Sequence, residues 1–426
     1  MKPLLIFLPY VPYPLMRGTY QRVYHLAEAL GGHFDVDLFC LSSEPEDASH
    51  LERFQGFCRR VHFEPFQHPP WAPFLTDRLW HPLPVTVRHW WSEPVLAALR
   101  DFTAGQDYAV VDFCDLVLWP YVKAVFPHHR ARVMDRSRVD WLYQTELLRT
   151  LQQGWFSKLK GRENLHKIAS MEREVRRELA LTVVCGPDDA TFLEEQLGPS
   201  ERVLVLPNGA NVGFFNADEW PCEPTPGPTA LFCGALDYTP NTDGLAWYFA
   251  AIHPLVMERC PEFKVILVGK NPGPEMRAYA ALAGVEFVGE VPDVRPFYQK
   301  AWLQIVPLRI GGGTRLKIAE GLAMANPVVS TRLGAQGLEL HHDEHLLLAD
   351  TPDTFANSIL RYVNYPALRR HHAQNHRHHA DQEVHGHGPT RSCHHPPRTY
   401  PQAMHLPQCW ISHHIPVCHY IFVMKY

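Results

Sequence analysis

The sequence predicts an α/β protein made of two Rossmann-like domains. At 426 residues the chain is longer than a single hydrophobic core usually organises. Residues 4–40 and residues 303–331 each contain a buried strand, a glycine turn, an amphipathic helix and a second strand. That order of elements opens a doubly wound parallel sheet. Between the two stretches, residues 219–228 are dense in proline and lack periodicity, which is typical of an interdomain linker.

These signals divide the chain into four parts. We predict a first domain over residues 1–215, a linker over 216–228, a second domain over 229–370 and an irregular tail over 371–426. Apolar residues make up 46% of the chain, and the net charge of −5 argues against a general nucleic-acid binder. The ten cysteines include no Cys-x-x-Cys pair, which favours reduced thiols in a cytoplasmic protein over a disulfide framework.

The apolar start of the chain lacks the pattern of a signal peptide. Pro9, Pro12 and Pro14 interrupt it early, and no small-x-small cleavage site follows. No stretch of about 18 uninterrupted apolar residues offers a membrane span. The sequence therefore predicts a protein on the cytoplasmic side, with a peripheral contact to the inner face of the cell membrane as an alternative.

The first domain begins with a buried strand over residues 4–8 and a loop that ends at Gly18. Gly18 either lets the backbone approach a bound phosphate or merely closes the turn. The helix that follows places its apolar residues on one face: Val23, Leu26, Ala27 and Leu30. Further along we predict strands at 35–40, 108–113, 131–134, 181–185 and 203–206, and helices at 152–179 and 187–197.

Two segments of the first domain have open roles. The first, residues 65–94, is aperiodic, and its tryptophans form either an acceptor platform or packing against their own domain: Trp71, Trp80, Trp90 and Trp91. The second, the helix at 152–179, carries many basic residues that would suit an anionic membrane. Its acidic residues dilute that charge and favour a solvated helix instead: Glu163, Glu172, Glu174 and Glu178.

The second domain is predicted to repeat the parallel pattern. We expect strands at 229–234, 263–268, 286–288, 304–306 and 327–330, and a helix at 241–257. A short helix over 294–301 would have Asp293 as its N-cap.

The glycine loop of the second domain has the features of a phosphate-binding turn. Gly311, Gly312 and Gly313 follow a buried strand, and Thr314 can cap the next helix. A loop without Cβ atoms at a helix start gathers free backbone N–H groups at the positive end of a helix dipole, which favours a diphosphate. Arg315 and Lys317 add positive charge, and Glu320 can accept hydrogen bonds from sugar or ribose hydroxyls.

The glycine loop and five other motifs together resemble family 4 of the retaining glycosyltransferases with the GT-B fold. The loop matches the branch with Gly-Gly-Gly-Thr-Arg-Leu-Lys before the glutamate. The other motifs lie in the expected order, and the resemblance covers roughly residues 1–370: Tyr13-Pro-Leu-Met-Arg-Gly-Thr-Tyr-Gln-Arg22, Leu206-Pro-Asn-Gly209, Leu231-Phe-Cys-Gly-Ala-Leu-Asp-Tyr-Thr-Pro-Asn-Thr-Asp243, Val265-Ile-Leu-Val-Gly-Lys270 and Val285-Glu-Phe-Val-Gly-Glu-Val-Pro-Asp293. Within that family the chain resembles the sugar transferases of bacterial exosortase and exopolysaccharide systems.

The resemblance implies two domains facing across a cleft and the retaining transfer of a hexosyl group from a nucleotide-sugar donor. The acceptor would be a hydroxyl of a glycan or lipid-linked sugar, in the synthesis of exopolysaccharide or another cell-surface glycan. Neither a metal ion nor another cofactor is expected, on the interpretation that no Asp-x-Asp pair is present to bridge a diphosphate. The base of the nucleotide stays open, since the family reads it through backbone groups.

The resemblance also implies a set of site residues. Arg315, Lys317 and Glu320 are the expected catalytic residues. The donor-binding set consists of these three together with Gly18, Gly234, Asn241, Gly269, Val291, Gly311, Gly312, Gly313 and Thr314.

The chain departs from the family pattern at three places. Gly312 replaces the first of two glutamates, which leaves the sugar contact to backbone amides. The stretch Asp237–Asn241 lacks the usual Arg and Lys, so Arg315 and Lys317 would supply that charge. A cleft histidine has no counterpart, and Asp112 or Asp115 could substitute for it.

These departures keep two other function classes open. One is a GT-B-like binding protein with impaired catalysis. The other is a dinucleotide-dependent oxidoreductase, although no Gly-x-Gly-x-x-Gly follows the first strand.

The tail from His371 changes character abruptly. It holds 13 of the chain's 27 histidines and shows no apolar period. A metal-binding segment is one interpretation. A disordered or out-of-frame segment, in place of the family's helix that crosses back to the first domain, is the other.

Overall fold

The computed structural model describes residues 1–15, 18–69, 78, 80–150, 154–206, 208–210, 213–220, 224–311, 315–338 and 340–385. Within them the chain folds into two α/β domains, each built on one parallel sheet. This arrangement confirms the predicted fold class. No helix among the described residues combines the length and apolar character needed to cross a bilayer.

The first domain contains a seven-stranded parallel sheet. Its strands are β1 (Pro3–Leu8), β2 (Asp35–Ser42), β3 (Cys58–Pro65), β4 (Val110–Cys114), β5 (Arg132–Asp135), β6 (Leu181–Val184) and β7 (Val203–Val205), and their order across the sheet is β3-β2-β1-β4-β5-β6-β7. Its helices are α1 (Gly18–Gly31), α2 (Val85–Arg88), α3 (Glu93–Thr103), α4 (Trp119–Val125), α5 (Asp140–Thr150), α6 (Trp155–Glu178) and α7 (Pro187–Leu197), with 3₁₀ turns at Pro45–Phe54 and Leu116–Leu118.

The second domain contains a six-stranded parallel sheet. Its strands are β8 (Thr229–Cys233), β9 (Lys264–Val268), β10 (Val285–Gly289), β11 (Leu303–Val306), β12 (Val328–Ser330) and β13 (Leu347–Leu348), in the order β10-β9-β8-β11-β12-β13. Its helices are α8 (Thr239–Trp247), α9 (His253–Arg259), α10 (Pro274–Ala278), α11 (Arg295–Lys300), α12 (Leu316–Ala323), α13 (Pro352–Asn364) and α14 (Pro366–His385), with a π turn at Tyr248–Ile252 and a 3₁₀ turn at Tyr279–Ala281.

Both faces of each sheet are covered, so the central strands are buried along their whole length. In β1, Leu5 and Phe7 pack into one core layer, whereas Leu4, Ile6 and Leu8 pack into the layer on the opposite face. Strands buried on both faces read as continuous apolar runs, and this is why the sequence pattern located them.

Several elements differ from the sequence prediction, which also lacks the helices α2, α4, α5, α10 and α13 and the strand β13. The edge strand β3 and helix α3 were not predicted, since both mix polar with apolar residues. The predicted helix at 241–257 begins earlier and is interrupted by the π turn before Pro254, whose ring displaces the helical hydrogen bond. In the short helix α11 the N-cap position is Val294, not Asp293, although the Asp293 carboxylate accepts the Arg295 N–H at 2.9 Å.

The expectation of an irregular chain from His371 onward is wrong for residues 371–385, which continue α14. His372 is fully buried, and its two ring nitrogens lie 2.5 Å from the Tyr362 hydroxyl and 3.2 Å from the Asp343 carbonyl oxygen. Asn375 donates to the Glu344 carbonyl oxygen at 2.9 Å. Polar contacts therefore hold this helical segment in place, although its sequence lacks the apolar period of an amphipathic helix. Residues 386–426, the rest of the predicted tail, lie outside the described residues.

The end of the first domain already packs against the second. Phe215 is buried with Tyr298, and the guanidinium carbon of Arg295 lies 3.7 Å from the Phe214 ring centroid and 4.1 Å from the Trp220 ring centroid. These contacts hold residues 214–220 on the strand ends of the second sheet, next to the proline-rich linker.

Candidate functional site

The two predicted glycine-turn units meet face to face between the domains. Gly18 begins α1 in the first domain, and Leu316 begins α12 in the second. A Cβ atom at Gly18 would overlap the end of the Leu316 side chain, so a larger residue would require that side chain to move. The structure thus places Gly18 at the contact between the domains.

Lys317 extends from α12 to the carboxyl end of β8. Its Nζ donates to Asn241 Oδ1 at 2.7 Å and lies 4.5 Å from the centroid of the Phe232 ring. A Cβ at Gly234 would lie 2.7 Å from the same Nζ. Three predicted donor-site residues are therefore brought together around one ammonium group. Burial, helped by the nearby charge of Arg315, lowers the pKa of Lys317 to about 8.

Gly234 and Gly269 shape the strand ends beneath this ammonium group. Gly234 has φ +155°, and a Cβ at Gly269 would overlap the Gly234 carbonyl oxygen. The loop after β8 is further fixed by a hydrogen bond from Asn241 Nδ2 to the Ala235 carbonyl oxygen at 2.7 Å. Glycine at these two positions therefore allows the ends of β8 and β9 to approach each other and the Lys317 side chain closely.

Glu320 lies one turn further along α12 and is half-buried. Tyr298 donates its hydroxyl to Glu320 Oε2 at 3.4 Å, and the side chain of Gln21 in α1 lies within hydrogen-bonding reach of the carboxylate. Burial raises the pKa of Glu320 to about 7, although Gln21, Lys317 and Tyr298 oppose the shift. The carboxylate therefore stands between the two domains and titrates near neutral pH.

Arg315 occupies the N-cap position of α12 and folds back over Gly311, which has φ +125°. Burial lowers the pKa of Arg315, while Tyr238 and Asp189 favour its charge. Asp189 belongs to the first turn of α7 in the first domain, and burial raises its pKa to about 6. Arg315 is thus held at the domain boundary. Gly312, Gly313 and Thr314 lie outside the described residues.

Val291, the remaining predicted donor-site residue, packs beside β10. It is partly buried in the apolar cluster that also contains Phe215, Val268 and Tyr298. Its backbone lies in the loop between β10 and α11, at the same sheet edge as Gly234 and Gly269.

Sequence reasoning missed Arg22, although it lies within one of the resembling motifs. Arg22 pairs with Asp135 at 2.8 Å and donates to the Leu206 carbonyl oxygen at 2.6 Å and to Asn208 Oδ1 at 2.9 Å. Burial disfavours its charge, but the Asp135 carboxylate outweighs burial and raises the pKa of Arg22. This residue ties α1 to the ends of β5 and β7 and so fixes the first-domain wall of the cleft.

Asp115 is the acidic side chain at the carboxyl end of β4, whereas Asp112 is buried within the strand. Asp115 has φ 72°, an uncommon value for a residue with a side chain. Burial and the nearby Asp140 raise the pKa of Asp115 to about 7, against the charges of Arg138 and Arg136. Of the two aspartates considered as substitutes for the histidine, Asp115 is the one at the strand end.

The chain does contain one Asp-x-Asp sequence, Asp35-Val-Asp37, but it lies elsewhere. Asp37 is fully buried and is held by Arg59, with Nη2 to Oδ2 at 2.6 Å, and by Arg60. Burial opposes ionisation of Asp37, but hydrogen bonds from the two arginines lower its pKa overall. Among the residues with described side chains, no three of His, Cys, Asp or Glu form a group that could hold a metal ion.

The fold is that of the GT-B glycosyltransferases. The chain is similar to sucrose-phosphate synthase from Thermosynechococcus elongatus, with 18% identity, coverage of 89% of this chain and 94% of that chain, and a TM-score of 0.66. It is also similar to Anabaena HepE in complex with UDP-glucose, with 15% identity, coverage of 89% and 94%, and a TM-score of 0.62. A glycosyltransferase from Rickettsia africae gives 11% identity, coverage of 100% and 98%, and a TM-score of 0.65.

Part of the chain also matches the model of a sequence family. Residues 227–364, which include most of the second domain, match the model of the glycosyl transferases group 1. An uncharacterized 44.6 kDa protein in the cps region of Klebsiella pneumoniae is 30% identical over 140 residues, which are 31% of this chain and 36% of that protein. The chain therefore spans about a third of the length of this curated relative. The match to this family is therefore confined to residues of the second domain and its preceding linker.

Proposed function

We propose that this protein is a retaining glycosyltransferase of the family 4 type that transfers a hexosyl group from a nucleotide sugar to an acceptor hydroxyl. The observation that carries the proposal is the convergence of Arg315 and Lys317 at the start of α12. Each side chain is partly buried, and burial together with the nearby charge of Arg315 lowers the pKa of Lys317. Two like charges held together away from water are costly unless an anion lies between them, and a diphosphate is such an anion.

The same two groups fit the chemistry of the reaction. As the bond between the sugar and the diphosphate breaks, negative charge develops on the leaving phosphate. Arg315, Lys317 and the positive end of the α12 dipole would stabilise that charge and so lower the barrier. Glu320 would accept hydrogen bonds from ribose hydroxyls and so fix the position of the donor in the site.

The first domain would present the acceptor. Asp115 stands at the strand end opposite the donor domain, where a carboxylate could orient an acceptor hydroxyl or a sugar hydroxyl. Its closest charged neighbours include Arg138, which also lies near Tyr238 of the second domain. Retention of configuration, a metal-independent reaction and a role in exopolysaccharide synthesis rest on the family resemblance, and the cps-region relative favours the last of these.

The deciding experiment is to incubate the protein with UDP-, GDP- and ADP-sugars and to measure nucleotide release, with and without glycan acceptors. Release that depends on Lys317 would support the proposal. Binding without release would favour the GT-B-like binding protein, and neither binding nor release would overturn both. A parallel titration with nicotinamide dinucleotides tests the oxidoreductase. Repeating the assay with a chelator tests the metal-independent reaction, which would be wrong if activity disappeared.

A further inference from the structure

Helices α5 and α6 form a hairpin that ends in an unusually apolar surface. Gly161 of α6 packs against Leu148 of α5, which brings the two helices together near the turn. Beyond that contact, the start of α6 exposes 70% of Trp155, 56% of Phe156 and 56% of Leu159. We refer to residues 155–162 as the hairpin tip. Large apolar side chains exposed side by side mark an interaction surface.

The hairpin tip is also basic. Lys158, Lys160 and Arg162 are exposed, and residues 155–162 contain no acidic residue. None of these three side chains forms an ion pair with any residue that the structure describes. The tip thus carries three positive charges on a chain whose net charge is −5.

The acidic residues of α6 do not neutralise the tip, because they face the body of the domain. Each has a basic partner there: Glu163 with Arg78 at 2.8 Å, Glu172 with Arg136 at 2.6 Å, Glu174 with Lys123 at 2.6 Å and Glu178 with Arg132 at 3.2 Å. The ion pairs that favoured a simple solvated helix are therefore used for packing. They leave the basic residues at the tip unopposed.

A further aromatic residue lies near the tip. Arg78 donates to the Lys160 carbonyl oxygen at 2.9 Å, and Trp80, two positions along the chain, is 87% exposed. By contrast, Trp90 stacks on Phe66 and Trp91 stacks on Tyr121, and both are partly buried against the domain core. Of the tryptophans described between residues 65 and 94, Trp80 alone is mostly exposed.

We propose that the hairpin tip docks on an anionic lipid surface. Trp, Phe and Leu side chains partition into the interface of a bilayer, and Lys and Arg side chains meet acidic headgroups while their aliphatic parts remain in contact with apolar groups. An acidic protein would satisfy the charges, but it would also have to bring an apolar pocket matched to the exposed aromatic rings. A bilayer interface satisfies both.

The other end of the hairpin reaches the cleft. Asp140, the first residue of α5, pairs with Arg138, and Tyr143 lies within hydrogen-bonding reach of Thr239 in the second domain. The eleven residues of α5 span about 15 Å from cleft to tip, at 1.5 Å per residue. Docking at the tip would therefore hold the cleft close to the membrane, where a lipid-linked acceptor would lie.

The test is flotation of the full chain with vesicles of phosphatidylcholine alone or mixed with phosphatidylglycerol, without nucleotide. We expect binding only to the mixed vesicles, weakened by salt. Trp155→Ala/Phe156→Ala/Leu159→Ala and Lys158→Glu/Lys160→Glu/Arg162→Glu should each weaken binding by at least about tenfold. The control Lys264→Glu/Arg277→Glu/Arg332→Glu makes the same change of charge on the exposed surface of the second domain and should bind as the wild type does.

Three outcomes would overturn the proposal. They are failure of the wild type to float with anionic vesicles, equal loss of binding in the control, and a wild-type dimer that the aromatic substitutions convert to a monomer. Circular dichroism and thermal denaturation show whether the variants are folded. Because the vesicle assay contains no donor, its result is independent of whether the glycosyltransferase proposal holds.

Discussion

At the scale of single residues, the charge of Arg315 is expected to act on the diphosphate and not on the nucleoside. Arg315→Ala should weaken binding of a nucleoside diphosphate by about 1.5–3 kcal/mol, the usual loss for a hydrogen bond to a charged group. Binding of the matching nucleoside should change little. Isothermal titration calorimetry with both ligands checks this, with Arg332→Ala, on the exposed surface, as the control. Equal losses for the two ligands would contradict a phosphate contact.

The pKa values of Glu320 and Lys317 predict that the affinity for the donor depends on pH in a bell-shaped manner. As the pH rises through about 7, Glu320 ionises and accepts stronger hydrogen bonds from ribose hydroxyls. As the pH rises through about 8, Lys317 loses its proton and with it the attraction for the diphosphate. A nucleotide sugar is the right probe, because its diphosphate diester does not titrate in this range.

The acid side of that profile should belong to Glu320. Glu320→Gln is expected to keep the fold, to weaken donor binding by about 1.5–3 kcal/mol and to flatten the acid limb. The alkaline limb should remain but move to lower pH, because the charge of Glu320 raises the pKa of Lys317 and is lost in the variant. An acid limb of undiminished size in Glu320→Gln would show that another group causes it.

At the scale of elements, a substitution at Gly269 tests whether the ends of β8 and β9 must approach each other this closely. Gly269→Ala would push a methyl group into the Gly234 carbonyl oxygen, a backbone atom that cannot move aside cheaply. We expect a loss of about 1–3 kcal/mol in the free energy of unfolding and a larger loss of donor affinity. Gly273→Ala is the matched control, because nothing lies within 4 Å of its added Cβ. Chemical denaturation measures both.

Helix α14 gives a second element-scale prediction, at the boundary where the sequence suggested a foreign tail. A chain ending at Arg370 should be less stable than one ending at Asn375, because only the longer chain keeps the buried bonds of His372 to Tyr362 and Asp343. The expected difference is about 1–3 kcal/mol. Thermal and urea denaturation of the two truncations provide the comparison. Equal stability would show that residues 371–375 are dispensable.

These elements also show what the sequence could and could not predict. Strands such as β1 were located because burial on both faces leaves an uninterrupted apolar run. The edge strand β3 was missed because half of its residues remain accessible and polar. The helix after His371 was missed because its place depends on partners for polar atoms, which an apolar period does not reveal.

The same limit applies to the site. The glycine loop and its basic residues could be recognised as a local pattern. The contact of Lys317 with Asn241 joins residues 76 positions apart, and the proximity of Asp189 to Arg315 joins two domains. Such pairings follow from the relative placement of sheets and domains, which no local spacing encodes.

At the scale of the whole molecule, the contact of Gly18 with Leu316 predicts that the two domains are coupled through their helix starts. Gly18→Ala should displace α12 and weaken donor binding by about 1 kcal/mol, with little change in unfolding. Leu316→Ala in the same chain should restore part of the affinity by making room for the methyl group. Gly56→Ala, which has open space around its Cβ, is the control. Failure of the double substitution to recover any affinity would argue against a steric cause.

Lys317 of α12 contacts residues at the end of β8, and this contact affects which positions of the protein can change during evolution. Because the ammonium group comes from a distant helix, the loop over residues 235–240 is released from supplying a cation. Its exposed side chains, Asp237 and Tyr238, can therefore vary, provided that Asn241 continues to hold Lys317. Arg315, Lys317 and Glu320 lie within six consecutive positions, so they form a compact unit that recombination could move intact. New specificities could then arise in the neighbouring loop while this unit keeps its charges in place.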